Sequence, residues 1–125
     1  MRLDVPAILI FQLWNKIKAY FVAQIAANLT RYGIQLAAWH DGLAKLDSDE
    51  LPTTVQSNVW ALLSENAHQT VNQQVNRNWQ VVLSTPEALY FDFPYEADPF
   101  ELGNHWAARQ VGLRQVFEFM PDNLP

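Results

Sequence analysis

The sequence contains no cysteine, only four glycines and only eight lysines and arginines among its 125 residues. Without cysteine there is no disulfide bond, no thiolate nucleophile and no cysteine-ligated zinc site. Thirteen acidic residues outweigh the basic ones and give a formal charge of −5. The basic residues are scattered and form no stripe that could track a phosphate backbone, so we expect no nucleic-acid partner.

Long apolar runs and glycine-rich loops are missing as well. The apolar run after Pro6 ends at Phe11, which is too short for the core of a signal peptide or for a bilayer crossing. We therefore expect no membrane insertion. No phosphate-binding loop and no Gly-x-Ser-x-Gly setting is present, so neither a cofactor nor a serine nucleophile is indicated. The lack of cysteine does not indicate whether the protein is located in an oxidising or a reducing cellular compartment.

Apolar and aromatic residues are abundant instead. Half of the chain is hydrophobic, with five Trp, seven Phe and four Tyr. This composition predicts a globular protein rather than a disordered one, and the length is that of one domain.

Hydrophobic periodicity predicts helices and strands in alternation. Apolar residues at spacings of three and four predict a helix over 13–31, with Gly33 as its left-handed cap. Pro6 is expected to keep residues 1–11 out of any long helix. Ser64 is expected to cap a polar helix of about fourteen residues, and a weak helical pattern follows Gly103.

Short apolar runs predict three strands, at 34–39, 55–60 and 80–84. The run at 89–92 is expected to continue the third strand, and His40-Asp41-Gly42 is expected to form a turn. Strands that alternate with helices predict an α/β fold with a parallel sheet built from right-handed βα units.

Aromatic residues close each of these runs: Trp39, Trp60, and Tyr90 with Asp92. In parallel α/β folds the carboxyl ends of the strands share one edge, and ligands bind there. Trp106 follows on a loop rich in proline. A ring can cover the C–H face of a sugar while a carboxylate accepts hydroxyl hydrogen bonds. The pattern therefore favours an aromatic-lined carbohydrate pocket, although each Trp alone is more typical of a core.

Other polar residues allow weaker interpretations. His40, His68 and His105 fit no metal-ligand spacing, so no metal site is expected. Asp41 is either a turn-forming residue before Gly42, which the Asp-Gly pair favours, or an acceptor for a sugar hydroxyl.

Five segments resemble glycoside hydrolase family 20, in particular its bacterial chitobiase (β-N-acetylhexosaminidase) branch. They are Gly-Ile-Gln-Leu-Ala-Ala-Trp-His-Asp-Gly-Leu, Val-Gln-Ser-Asn-Val-Trp, Ala-Leu-Tyr-Phe-Asp-Phe-Pro-Tyr-Glu, Glu-Leu-Gly-Asn-His-Trp and Phe-Met-Pro-Asp-Asn-Leu-Pro. The resemblance covers residues 12–125 as a partial catalytic domain and leaves 1–11 unmatched.

This resemblance implies part of a (β/α)8 TIM barrel, about strands five to seven with their helices, which does not close on its own. It implies removal of terminal N-acetylglucosamine from chito-oligosaccharides with retention of configuration. In that family the substrate's own acetamido oxygen is the nucleophile. For the full-length enzyme it implies a periplasmic or secreted location.

The resemblance also implies a role for each pocket residue. Trp39 and Trp60 correspond to walls around the acetamido group and the −1 sugar. Tyr90 corresponds to the hydroxyl that aligns the acetamido oxygen, and Asp92 to a carboxylate that binds sugar hydroxyls. Trp106 corresponds to the platform for the +1 sugar.

The family's adjacent Asp-Glu pair, which orients the acetamido group and supplies the general acid, has no counterpart. The only adjacent pair here is Asp49-Glu50, in a polar loop with no strand leading into it. We therefore expect a fragment that carries the sugar pocket and is inactive alone. The alternative is a non-catalytic carbohydrate-binding or interaction module. Either way, two unpaired sheet edges could allow self-association.

Overall fold

A computed structural model describes residues 7–44, 46, 51, 55–96, 98–108 and 110–121. The helices are α1 (Ala7–Arg31), α2 (His40–Leu43), α3 (Ala67–Val75), α4 (Pro86–Leu89) and α5 (Leu113–Glu118). The strands are β1 (Ala37–Trp39), β2 (Gln56–Val59) and β3 (Gln80–Leu83), and a 3-10 turn spans Leu63–Glu65. The strands form one sheet in the order β1-β2-β3, and both pairings are parallel. The predicted parallel sheet is confirmed.

Helix α1 ends where the sequence predicted and begins earlier. Gly33 has a φ of +69°, and the Ile34 N–H bonds the Leu29 carbonyl at 3.0 Å. This is the expected left-handed cap. The helix already begins at Ala7, so the prediction that it starts at residue 13 was wrong. Proline is well tolerated at the start of a helix, where its missing N–H has no partner, and Pro6 therefore does not prevent helix formation directly after it.

The turn predicted at His40-Asp41-Gly42 is a helical turn, α2, and strand β1 begins only at Ala37. The α2 turn places the Leu43 side chain in the core, where it is 0% exposed. Burying a leucine contributes about 1.5–3 kcal/mol, which favours the helical conformation over a surface Asp-Gly turn.

The helix predicted from Ser64 is shorter and is interrupted at its start. Asn66 has a φ of +60° between the 3-10 turn and α3, and Ser64 is not the N-cap. Asparagine tolerates this left-handed conformation better than most residues. A buried hydrogen bond of 3.2 Å from Ser57 Oγ to Gln74 Oε1 holds α3 against β2.

The run at 89–92 does not continue β3. Residues Pro86–Leu89 form α4, with proline in its first turn, because proline has no N–H for a strand ladder and suits a helix start.

The weak helical pattern after Gly103 becomes a helix only at Leu113.

The main core lies at the amino ends of the strands. Leu36, Val55 and Trp79 each directly precede a strand, and all three are buried. They pack in one cluster with Ala26, Leu43, Leu46 and Leu51. At the opposite, carboxyl edge, α2 still contributes Leu43 to this cluster, but Trp39 and Trp60 at the ends of β1 and β2 are not part of it.

Large apolar side chains on α1 remain exposed: Phe11, Leu13, Trp14, Ile17, Tyr20 and Phe21. Within the part of the chain that the structure describes, none of the helices combines the length and apolar character that crossing a membrane requires. An apolar patch of this kind on a protein surface is typical of an interface.

We expect the purified chain to self-associate at micromolar concentration, with α1 contributing to the contact. Replacing Tyr20 and Phe21, which are 69% and 63% exposed, by glutamine should shift the population toward monomer in sedimentation velocity. Gln24→Ala, on the same helix, is the control. An unchanged distribution for the double variant would contradict a contact through Tyr20 and Phe21.

Candidate functional site

A pocket of about 370 Å³ is lined by Trp39, Asp41, Trp60, Tyr90 and Trp106. Trp39 is the last residue of β1, and Trp60 directly follows β2. Tyr90 follows α4, so it reaches the pocket through a helical turn rather than at a strand end. The structure thus brings four of the five predicted site residues together. Asp41 also lines the pocket, which its interpretation as a turn-forming residue did not predict.

Trp106 contacts three other aromatic rings of the described chain. Its centroid lies 5.9 Å from that of Trp60, 5.7 Å from Tyr90 and 5.5 Å from Phe93. The first two contacts are edge-on, with interplanar angles of 82° and 70°, an arrangement that aromatic pairs prefer. Trp39 and Trp106 stay about half exposed, at 50% and 46%, so their faces are available to a ligand.

Residues of α2 hold Trp60 at two points. The Trp60 backbone N–H donates to His40 Nδ1 at 3.4 Å, and the indole N–H donates to Asp41 Oδ1 at 3.1 Å. The His40 ring also meets the Trp60 ring edge-on, with centroids 5.4 Å apart. The exit of β1 therefore determines where the side chain at the exit of β2 lies.

The pKa values of His40 and Tyr90, the two titratable rings at the site, shift in opposite directions. Burial lowers the pKa of His40, and the Asp41 carboxylate and Asn58 carbonyl oppose this to a smaller extent. Nδ1 can accept the Trp60 N–H only when it is unprotonated. Burial, with the negative charge of Asp92, raises the pKa of Tyr90. The Tyr90 hydroxyl therefore stays protonated at neutral pH and can donate a hydrogen bond.

Asp92 lies beside the pocket and does not line it. Its Oδ2 accepts from the Asn104 side-chain amide at 2.9 Å, and its carbonyl accepts from the Asn104 N–H at 2.8 Å. A third bond, from the Val111 N–H to the Pro94 carbonyl at 2.9 Å, follows further along. These bonds hold the segment that carries Trp106.

Gly103 allows this segment to approach closely. A Cβ at this position would lie 2.5 Å from the Pro94 nitrogen and 2.9 Å from the Phe93 carbonyl carbon. Both distances are shorter than real Cβ contacts, so only glycine fits here without displacement.

Glu87 connects the exits of β2 and β3. Its Oε1 accepts the Leu63 N–H at 2.7 Å, and its backbone carbonyl accepts from the Gln115 side chain. Oε2 is buried and has no partner within the described residues. The sequence around Glu87, an ordinary Thr-Pro-Glu-Ala segment, did not indicate that this side chain would bond to Leu63. The two residues are 24 positions apart, so local patterns do not report the contact.

The remaining candidates lie apart from the pocket. His68 is on α3, and His105 is exposed beside Trp106. Among the described ranges no cluster of histidine, aspartate and glutamate side chains could hold a metal ion. Asp49-Glu50 falls outside the described residues.

Ligands of parallel α/β folds bind at the carboxyl edge of the sheet, and in this chain indole and phenol rings line a pocket there. The family model described as "Glycosyl hydrolase family 20, catalytic domain" matches residues 9–124. The chain therefore belongs to glycosyl hydrolase family 20, and the resemblance seen in the sequence motifs is confirmed.

Three relatives agree with this assignment. The chain is 42% identical over 112 residues to beta-hexosaminidase B of Pseudoalteromonas piscicida, covering 90% of this chain and 14% of that protein. It is 38% identical to a beta-hexosaminidase of Vibrio vulnificus, covering 87% of this chain and 13% of the relative. It is 32% identical to the N,N'-diacetylchitobiase of Vibrio harveyi, covering 86% of this chain and 12% of the relative. The chain thus spans a small part of the length of these relatives.

A solved structure shows the fold. A glycoside hydrolase family 20 beta-N-acetylglucosaminidase matches with a TM-score of 0.64 at 20% identity, over 83% of this chain and 22% of that one. The catalytic domain of this family is a TIM barrel, and the open three-stranded parallel sheet with its helices is consistent with part of such a barrel.

We predict that Gly103→Ala displaces the segment that carries Trp106. Forcing a methyl group into this contact should destabilise the chain by about 1–3 kcal/mol and change the aromatic near-UV circular dichroism. Gly42→Ala is the matched control, because nothing lies within 4 Å of a Cβ there. Equal spectra and stability for both variants would contradict the close approach at Gly103.

The state of Trp60 should depend on pH through His40. The pKa of His40 is lower in the folded chain than its ordinary value of 6.5. Neutral His40 therefore makes its complete contribution to the free energy of unfolding above pH 6.5. The contribution is lost as the pH falls through the folded pKa. Urea unfolding followed by tryptophan fluorescence between pH 7.5 and 5 should show this loss. His40→Gln should remove that component and His105→Gln should retain it, whereas identical curves for wild type and His40→Gln would refute the role.

Proposed function

We propose that this chain forms the sugar-binding part of the active site of a β-N-acetylhexosaminidase that removes terminal N-acetylglucosamine from chito-oligosaccharides. The observation that carries the proposal is the pocket in which Trp39, Trp60, Trp106 and the protonated Tyr90 hydroxyl meet. Rings of this kind cover the apolar face of a sugar, and a phenol can donate to an acetamido oxygen.

In this proposal Trp39 and Trp60 enclose the acetamido group and the −1 sugar, and Trp106 stacks on the +1 sugar. Tyr90 donates to the acetamido oxygen and aligns it for attack. The edge-on contacts of Trp106 with Trp60 and Tyr90 support this division, because a +1 platform is expected next to a wall of the −1 site and next to the residue that binds the acetamido group. Asp92 is the acceptor for sugar hydroxyls at the edge of the pocket and also holds the Trp106 segment through Asn104.

The proposed reaction is substrate-assisted and retains configuration. The acetamido oxygen bonds to C1 as the glycosidic bond breaks, and the leaving oxygen takes a proton from a general acid. Water then attacks C1, loses a proton to the same group acting as base, and breaks the bond to the acetamido oxygen, so two inversions give net retention. The three strands would correspond to about strands five to seven of the barrel. The Asp-Glu pair that supplies the acid would then lie on an earlier strand, outside this chain. Since general acid catalysis typically supplies 10²–10⁴-fold, we expect no turnover by the chain alone.

A non-catalytic carbohydrate-binding module is the alternative. Both hypotheses predict binding of N-acetylglucosamine oligomers, and only the first predicts that the same residues act in catalysis when the rest of the barrel is present.

We expect chitotriose to change the tryptophan fluorescence of the purified chain in a saturable manner, and Trp60→Ala to abolish the change. Tyr90→Phe should weaken binding by about 0.5–1.5 kcal/mol, the usual contribution of one hydrogen bond. A glucose oligomer lacks the acetamido group, so any weak binding of it should not respond to Tyr90→Phe. Tyr32→Phe is the control, because Tyr32 is 80% exposed and does not line the pocket.

Release of nitrophenol from an aryl N-acetyl-β-glucosaminide tests the catalytic part. The 125-residue chain should show none. Turnover by the purified chain that Glu50→Gln abolishes would mean that Asp49-Glu50 is the catalytic pair after all. Absence of any oligosaccharide binding would reject the proposal for this pocket.

A further inference from the structure

Asp41 is the one charged side chain among the pocket-lining residues that the structure describes. It belongs to α2, one residue after His40 and two after Trp39, and its side chain reaches across to the exit of β2. There its Oδ1 accepts the Trp60 indole N–H at 3.1 Å. The hydrogen bond joins residues nineteen positions apart, so it is a tertiary contact and not a local turn.

This contact affects the orientation of the indole more than the stability of the chain. Asp41 is exposed, and water competes for both partners of an exposed hydrogen bond, which lowers its net contribution. A carboxylate nevertheless forms shorter and stronger hydrogen bonds than a neutral acceptor. The indole has a single N–H, so its engagement restricts rotation of the ring about its attachment to the backbone.

The other contacts of Trp60 do not restrict rotation of its indole ring. The bond to His40 Nδ1 comes from the Trp60 backbone and places the main chain, not the ring. The edge-on contacts with His40 and Trp106, at 5.4 and 5.9 Å, are apolar and tolerate tilting of the ring. Of the contacts of Trp60 within the described chain, only the bond to Asp41 specifies where one atom of the indole points.

We infer that Asp41 is a positioning residue that sets the angle of the Trp60 ring and thereby the shape of the sugar pocket. It acts through the indole N–H and not by contacting the sugar. The inference rests on the proposed function for its effect on binding, whereas the state of the indole can be observed without any ligand.

The ligand-free test is the indole N–H signal of Trp60 in ¹⁵N-labelled protein, assigned by its loss in Trp60→Phe. Asp41→Ala should shift this signal and increase its exchange with water, while the other indole signals move little. Asp41→Asn retains a carbonyl acceptor and should restore slow exchange in large part. An unchanged Trp60 signal in Asp41→Ala would overturn the inference, whatever the pocket binds.

The binding test is a double-mutant cycle with chitotriose. Trp60→Phe keeps an aromatic ring and removes the N–H. Asp41→Ala should weaken binding roughly threefold to tenfold in the wild-type background, the range expected for one lost hydrogen bond. In the Trp60→Phe background it should have no further effect, because residues that act through one contact are not additive.

An equal loss in both backgrounds would overturn the positioning role and indicate direct contact between Asp41 and the sugar. Glu65→Ala, which removes an exposed carboxylate that does not line the pocket, controls for net charge and should leave binding unchanged. If the wild-type chain binds no chitotriose while the indole signal responds to Asp41→Ala, the proposed function fails and the positioning role stands.

Discussion

Parallel pairing of the three strands is the constraint on which the site depends. Hydrogen bonds from Gln56 to the Leu36 carbonyl and from Gln80 to the Val55 carbonyl, at 2.9 and 2.8 Å, begin the two ladders. Leu36, Val55 and Trp79 are buried at the amino ends of the strands. Because both pairings are parallel, the carboxyl ends of all three strands lie at the opposite edge. The pocket residues come together there because the strands are parallel, not because they are neighbours in sequence.

Sheet pairing determines where the backbone of each pocket residue lies. A second set of contacts orients the side chains of these residues. His40 and Asp41 hold Trp60, Asn104 ties the Trp106 segment to Asp92, and Glu87 joins the loop after β2 to α4. The contacts of His40, Asp41 and Glu87 link the exits of different strands, and the bond from Asn104 to Asp92 closes the segment between α4 and α5. They are mostly exposed or half-buried, so their main effect is on geometry and only a small part of it is on stability.

The exposed aromatic face of α1 and the open sheet have a common explanation in the family. A complete barrel of this type has about 250 residues, and the chain matches 12% to 14% of the length of three relatives. In a closed barrel, both edges of such a sheet would be paired and further helices would flank α1. The apolar surface that this chain exposes is therefore of the kind that barrel closure buries.

Much of the fold and of the site followed from the sequence alone. The period of apolar residues determined that α1 forms and ends before the cap at Gly33, although not where it begins. Short apolar runs determined β2 and β3, because these signals depend on neighbours along the chain. The motifs around Trp39, Trp60, Tyr90 and Trp106 were sufficient to identify the family.

Tertiary packing decided the rest. Burial of Leu43 converted an expected Asp-Gly turn into α2 and so placed Asp41 beside Trp60. The bonds from Asn104 drew Asp92 to the side of the pocket. These two outcomes depend on which distant residues meet, whereas α4 has a local cause, the proline in its first turn, that the strand prediction missed. Local sequence patterns carry no record of such contacts, since a side chain 19 residues away leaves no trace in the periodicity around its partner.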